Sequence, residues 1–183
     1  MEDVMAARAL APVVLSLLAL PAGAALAPPS GLAFNLRPAA DEAPAFRLRA
    51  SGVQVYECRA LLTNPDRFAW QFVAPDVTLT DPTTGGDTAV LRSVDLWNSL
   101  TDRSSVSAVL RATQSAGTTN LPWTYMRAIP ASPDGMFAGV TSIQRVNTSG
   151  GAAPPTGCAA DTAGSELRVP FTAEYYFYKR GTA

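Results

Sequence analysis

Strict alternation of apolar and polar residues is the dominant pattern along this chain. Phe68 to Val73 reads FAWQFV and places Phe68, Trp70 and Phe72 on one side of an extended segment. Leu167 to Tyr178 places Val169, Phe171, Ala173, Tyr175 and Phe177 together. Gly52 to Arg59 sets Val53 and Val55 against Gln54, Tyr56 and Cys58. Leu121 to Ile129 sets Trp123, Tyr125 and Arg127 against Thr124, Met126 and Ala128. Shorter apolar runs at Val77 to Thr80, Ala89 to Leu91, Val106 to Thr113 and Met136 to Val146 read as further strands.

Turn chemistry separates these runs. Asn64-Pro65-Asp66, Pro75-Asp76, Asp81-Pro82, Gly85-Gly86-Asp87 and Ser132-Pro133-Asp134-Gly135 all punctuate the pattern. Pro170 inside the last run points to an edge, a bulge or the start of a strand. About eight strands with no amphipathic helix predict one all-β domain, an antiparallel β-sandwich or a small β-barrel. The all-β domain is expected over 45–183, preceded by a leader segment over 28–44 in which Phe34 and Leu36 fit a first edge strand.

Residues 1–27 have the pattern of a secretory signal peptide. Arg8 precedes an apolar run from Ala9 to Leu20 of about a dozen residues, too short for a span that needs about 20. Pro21 and Gly23 break the run, and small residues follow. Cleavage after Ala24 avoids leaving Pro28 next to the cut, as cleavage after Ala27 would. The expected location is therefore secreted, or extracellular, with a short membrane anchor or an organelle import segment as the alternative readings of residues 1–27.

Composition narrows the chemistry. The chain has 183 residues, 48% hydrophobic and 16% charged, which suits a packed domain. With a net charge of -1 and no basic tract, nucleic acid is not an expected partner. Histidine is absent, so a Ser-His-Asp or Cys-His nucleophile system and a His-dependent zinc site are excluded. No cofactor or metal is expected. The only cysteines are Cys58 and Cys158. In an oxidising compartment an even count reads as a disulfide, with two separate buried thiols as the alternative.

The stretch Gly139 to Cys158 joins a core strand to that staple and concentrates hydrogen-bonding side chains at Gln144-Arg145-Val146-Asn147. Gln144, Arg145 and Asn147 are ligand-binding candidates, since a guanidinium grips a carboxylate with two donors and an amide suits a polar ligand. The same side chains would also serve to satisfy loop backbone. Asn147-Thr148-Ser149 is a glycosylation sequon, which makes Asn147 a possible glycosylation site. Trp70, Trp97 and Trp123, with Tyr175, Tyr176 and Tyr178, are candidates for an aromatic platform that binds sugar or another flat ligand, and Trp70 and Trp123 for a carrier cavity, against the simpler reading of core residues. Glu57, Asp81 and Glu174 are the carboxylates nearest strands, and their spacing carries no catalytic signature.

Several segments together resemble a known family: GVQVYEC at Gly52 to Cys58, AWQF at Ala69 to Phe72, LPW at Leu121 to Trp123, IQRVNTSGGAAPPTGC at Ile143 to Cys158, and RVPFTAEYYFY at Arg168 to Tyr178. They are similar to the domain of unknown function 3455 family, whose members are mostly secreted bacterial and fungal proteins. The resemblance implies no established activity. Some members carry a malate dehydrogenase label, but this chain has no dinucleotide fingerprint. Members often carry a His-aromatic-Ala-Gly-Pro-Thr-Trp segment, of which Leu91 to Trp97 retains only Trp97. These observations predict a secreted, disulfide-stapled β protein with a non-catalytic binding or structural role, its partner a carbohydrate or a cell-surface component. The alternatives are a histidine-free carbohydrate-active hydrolase using Asp and Glu, and a small-ligand carrier.

Overall fold

A computed structural model describes residues 26–181 of the chain. Eight strands follow in order: β1 (Glu42–Leu61), β2 (Asn64–Thr80), β3 (Asp87–Ser93), β4 (Leu96–Ser99), β5 (Ser105–Gln114), β6 (Trp123–Pro130), β7 (Val140–Gly150) and β8 (Glu166–Arg180). Each pairs antiparallel with the next, and β8 returns to β1, closing a barrel. Of the two architectures the alternation allows, closure is the one adopted. The β1–β8 ladder runs from Glu42 to Glu57, which leaves neither terminal strand as a free edge. Among the described residues the only helical pieces are 3-10 turns at Phe34–Leu36 and Ala160–Thr162. No helix among them is long and apolar enough to cross a membrane. The predicted signal peptide lies outside the described residues except for Leu26 and Ala27.

Two expected breaks fall inside one strand. Asn64-Pro65-Asp66 begins β2, and the turn comes just before it, at Leu62-Thr63. Pro75-Asp76 also lies within β2. The ladder explains this. β2 meets β3 only from Val77 onward, and a bulge sets Val55 opposite Ala74 but Tyr56 opposite Phe72. A half-paired stretch beside a bulge is where a strand tolerates proline. Pro170 fits the same rule, because β7 meets β8 only from Phe171 onward. Gly52 is required where β1 crosses β2, since a side-chain carbon there would collide with the Asp76 carbonyl.

The interior is filled by the alternating set. Phe171, Ala173, Tyr175 and Phe177 of β8 meet Leu48, Ala50, Val77, Leu79, Val106, Met126 and Ile143 from the other strands. A chain of aromatic contacts runs along the axis. Phe46 stacks on Phe177 at 4.6 Å, Phe177 meets Phe137 at 5.3 Å, and Trp97 meets Phe177 at 6.3 Å and Tyr175 at 5.7 Å, edge to face. Full burial of each such side chain stabilises by about 1.5–3 kcal/mol. Charged residues such as Arg49, Arg92, Arg111 and Arg127 point outward, the inverse of a barrel built to face lipid.

The leader is not a loose approach to the domain. Leu36 is completely buried, whereas Phe34 is 86% exposed. Leu26, Leu32 and Trp123 cover Val146, Tyr176 and Tyr178 on the outer face of the barrel. The Ala33 N–H donates to the Gln114 side chain at 2.9 Å. The edge strand expected at Phe34 and Leu36 does not form, because a closed barrel offers no free edge for it to join. At the other side, Cys58 and Cys158 form the disulfide, with Cα atoms 5.4 Å apart. It fastens the β1–β2 hairpin to the glycine- and proline-rich segment that follows β7.

Candidate functional site

One end of the barrel is plugged. There Asp102 accepts hydrogen bonds from the Ser104 hydroxyl (2.7 Å), the Ser104 N–H (2.9 Å) and the Met136 N–H (2.6 Å). The Phe137 N–H donates to the Ser104 hydroxyl, and the Phe137 ring fills the space beneath. These donors hold the Asp102 carboxyl well below the usual carboxylate range.

The other end is open. A cavity of about 190 Å³ enters the barrel mouth. Its walls are apolar at Phe72, Pro75, Leu91, Val94, Leu121 and Met126, and polar or aromatic at Gln54, Tyr56, Asp95, Trp97, Arg145 and Tyr175. Nearly every strand contributes, because the barrel tilt brings one inward position from each to the rim. On β1 the inward series Leu48, Ala50, Gly52 ends in Gln54 and Tyr56. On β7 the inward series Ile143, Arg145 places a cation where the apolar series would otherwise continue.

Asp95 reaches the rim through the two-residue turn Val94-Asp95 between β3 and β4. Its φ of 55° is left-handed, which aspartate tolerates better than most side chains. Burial pushes the Asp95 carboxyl up, and the Arg145 charge pulls it part of the way back. Burial likewise raises the Tyr175 phenol, Arg145 opposes that, and Asp95 adds to it. Both charges are therefore felt at one wall of the cavity. Trp97 is 1% exposed, and its indole Nε1 has no hydrogen-bond partner among the described residues. The Thr124 hydroxyl, opposite Arg145 in the β6–β7 ladder, is a second buried group without one. Buried donors are nearly always satisfied, so an orphan beside a cavity marks a place where a ligand atom or water fits.

The residues expected from the sequence divide sharply. Arg145 lines the cavity, with Nε and Nη2 donating to the Pro122 carbonyl at 3.3 and 3.1 Å. Gln144 points the other way, as alternation requires. It donates to the Leu36 carbonyl at 2.5 Å and accepts from the Tyr178 hydroxyl at 2.5 Å, so it secures the leader. Asn147 would follow Arg145 inward, but a bulge between Val146 and Ser149 turns it out. Its φ is 51°, and its amide donates to Glu174 at 2.8 Å. The sequon asparagine is thus on the surface. Trp70 donates to the Thr156 carbonyl at 3.0 Å and secures the segment before Cys158, and Trp123 packs under the leader. Neither lines the barrel interior, so the carrier cavity expected between them is not formed.

The carboxylates considered for hydrolysis are dispersed. Glu57 pairs with Arg59, Glu174 with Arg47, and Asp81 caps its own turn through the Thr83 and Thr84 N–H groups. Asp95 was not among the expected site residues, and Trp97 was expected only as part of an aromatic platform with Trp70 and Trp123, which the structure does not assemble. The signal for them was weak: an acidic residue in a tight turn two positions before a tryptophan. Gln54 was legible only as an inward polar position on an otherwise apolar face.

Loop 151–158 supports the rim from outside. The Tyr56 hydroxyl donates to the Gly151 carbonyl at 2.6 Å. Gly151 has φ 88°, and a side-chain carbon there would run into Leu121 and Phe171. The disulfide then fixes the far end of the same loop to β1.

No curated protein and no solved structure matches the chain. The profile of the family described as "Protein of unknown function (DUF3455)" matches residues 38–104 and 94–179, and so takes in every strand of the barrel. The stretch Leu91 to Trp97, within the matched residues, supplies Leu91, Val94, Asp95 and Trp97 to the cavity. With the barrel matched over its whole length, the chain belongs to the domain of unknown function 3455 family.

Proposed function

We propose that this protein is an exported, non-catalytic binding protein that takes a small molecule into the mouth of its barrel. The observation that carries the reading is the Trp97 indole N–H, wholly buried and unpartnered at a cavity that also holds Arg145 and Asp95. Such a cluster costs stability unless something completes it. Binding rather than catalysis is favoured because the cavity contains one carboxylate, whereas glycoside hydrolysis needs two facing one bond. Export is supported by the leader pattern and by a disulfide, which persists in oxidising compartments. Leu26 packs against the barrel, which favours a mature chain starting at Ala25 over one starting at Pro28.

The test is a titration of the Trp70→Phe/Trp123→Phe variant, which leaves Trp97 as the sole tryptophan. Amino acids, small carboxylates, amines and monosaccharides are added in turn, with indole fluorescence and the indole N–H resonance as readouts. A saturable change at Trp97 with at least one class is expected. A folded protein whose Trp97 signals ignore every class would overturn the reading. For export, the secreted chain should begin at Ala25 by N-terminal sequencing; retention of Met1 in the mature protein would refute it.

A further inference from the structure

Asp95 and Arg145 share one small cavity, yet they do not pair with each other. Neither belongs to any ion pair formed among the described residues, whereas Glu57, Asp76 and Glu166 at the same end do pair. Asp76, for example, holds both Arg92 and Arg168 on the outer wall. Arg145 directs Nε and Nη2 at the Pro122 carbonyl, which fixes the guanidinium plane while its charge meets no carboxylate among the described residues. The Asp95 carboxylate accepts no hydrogen bond from them either. Opposite charges sharing so small a space would normally collapse onto each other or be lost to the surface. Here the turn holds one and the Pro122 carbonyl holds the other, with apolar and aromatic walls between.

Three kinds of ligand meet this arrangement badly. A simple anion on Arg145 faces the Asp95 carboxylate. A simple cation on Asp95 faces the guanidinium. A neutral apolar molecule strips water from both charges and compensates neither. A molecule with a carboxylate and an ammonium on a short spacer satisfies both. Volume limits the rest of it. A cavity of about 150 Å³ holds benzene, so about 190 Å³ admits a body of that size with a few more atoms. The lining by Phe72, Leu121 and Met126 calls for that body to be apolar.

Resting on the reading that the mouth binds a ligand, we propose that the ligand is a small apolar zwitterion, an α-amino acid of the size of leucine or phenylalanine. Its carboxylate takes Arg145 and the free Trp97 N–H, its ammonium takes Asp95, and its side chain lies against the apolar wall.

The test compares L-phenylalanine with 3-phenylpropionate, which lacks the ammonium, and phenethylamine, which lacks the carboxylate. Binding is read by calorimetry and by the Trp97 indole resonance. L-Phenylalanine should bind at least about tenfold more tightly than either analogue, the equivalent of about 1.4 kcal/mol for one desolvated charge contact. Asp95→Asn keeps a side chain suited to positive φ. It should weaken L-phenylalanine about tenfold and strengthen 3-phenylpropionate. If 3-phenylpropionate binds wild-type protein as well as L-phenylalanine does, the zwitterion is wrong while mouth binding stands. A Trp97 response to sugars alone would likewise exclude the zwitterion and leave mouth binding in place. If no class of compound moves Trp97, both proposals fall together. The ligand comparison on wild-type protein decides the matter even if the variant folds poorly.

Discussion

The two ends of this barrel are built from the same alternating strands and solve opposite problems. At the plugged end, Phe46, Phe137 and Phe177 pack ring on ring, and Asp102 is saturated with donors. At the open end, Trp97 and Tyr175 form a floor under a cavity in which an indole N–H is unsatisfied and two opposite charges stay apart. The first arrangement maximises stability. The second leaves polar groups incomplete, which folds tend to tolerate where a ligand will complete them. The aromatic column joins the two, yet the side chains that line the cavity are distinct from those that plug the far end.

The contrast can be broken most severely from the plugged end. Phe137→Ala empties a completely buried site and should cost about 3–5 kcal/mol in urea unfolding. Ligand affinity of the remaining folded protein at low temperature should stay within about twofold, because Phe137 does not line the cavity. A large affinity loss would show that the ends are not separable.

Removing the staple comes next. Cys58→Ser/Cys158→Ser opens a link between residues 100 apart in sequence. The chain-entropy model gives about 4 to 5 kcal/mol as an upper figure, and about 2–4 kcal/mol is the usual range. Unlike Phe137→Ala, this change should also weaken binding, since the freed loop carries the Gly151 carbonyl that holds Tyr56 at the rim. Unchanged affinity would mean the loop is irrelevant to the mouth.

Trp97→Phe sharpens the comparison from the open end. Shrinking a buried aromatic normally destabilises, but here the change also deletes an unsatisfied N–H. The two effects oppose, so unfolding free energy should move by less than about 1 kcal/mol. A loss above about 3 kcal/mol would show that the N–H already has a partner.

Asp95→Asn should give the smallest change and the most informative sign. The folded protein holds the Asp95 carboxyl above its ordinary value of 3.8, so the fold disfavours the charged form. That penalty is fully present above the raised folded-state value, fades as pH falls through it, and is gone well below pH 3.8. The variant should therefore melt slightly higher than wild type at about pH 7 and equal to it at about pH 3, by calorimetry. A variant less stable near neutral pH would mean that Asp95 is paired in the native state. Greater stability with weaker ligand binding is the signature expected of a site that sacrifices one for the other.

Alternation was readable because a strand's two faces are fixed by geometry alone. It separated Thr124, Met126 and Ala128 from Trp123, Tyr125 and Arg127, and the structure puts the first set inside. It also placed Phe171, Ala173, Tyr175 and Phe177 on one face, which the barrel buries. The same rule tells Gln144 from Arg145, but it does not say which face is the interior. Both faces of β7 are covered, one by the core and one by the leader, so local pattern leaves their fates open. Prolines misled for a related reason. Pro75 reads as a break until one knows that its stretch of β2 has a neighbour on one side only.

Residue order along the chain determined that this would be a sheet protein, which side chains travel together on a face, and that two cysteines were available to staple it. Those are properties of neighbours in sequence, set by backbone geometry and side-chain type. Closure into a barrel, the outward turn at Asn147 and the meeting of Asp95 with Arg145 depend on ladders between strands far apart in the chain. Only the tertiary structure decided them, because register and tilt are collective properties of all eight strands that no single segment encodes.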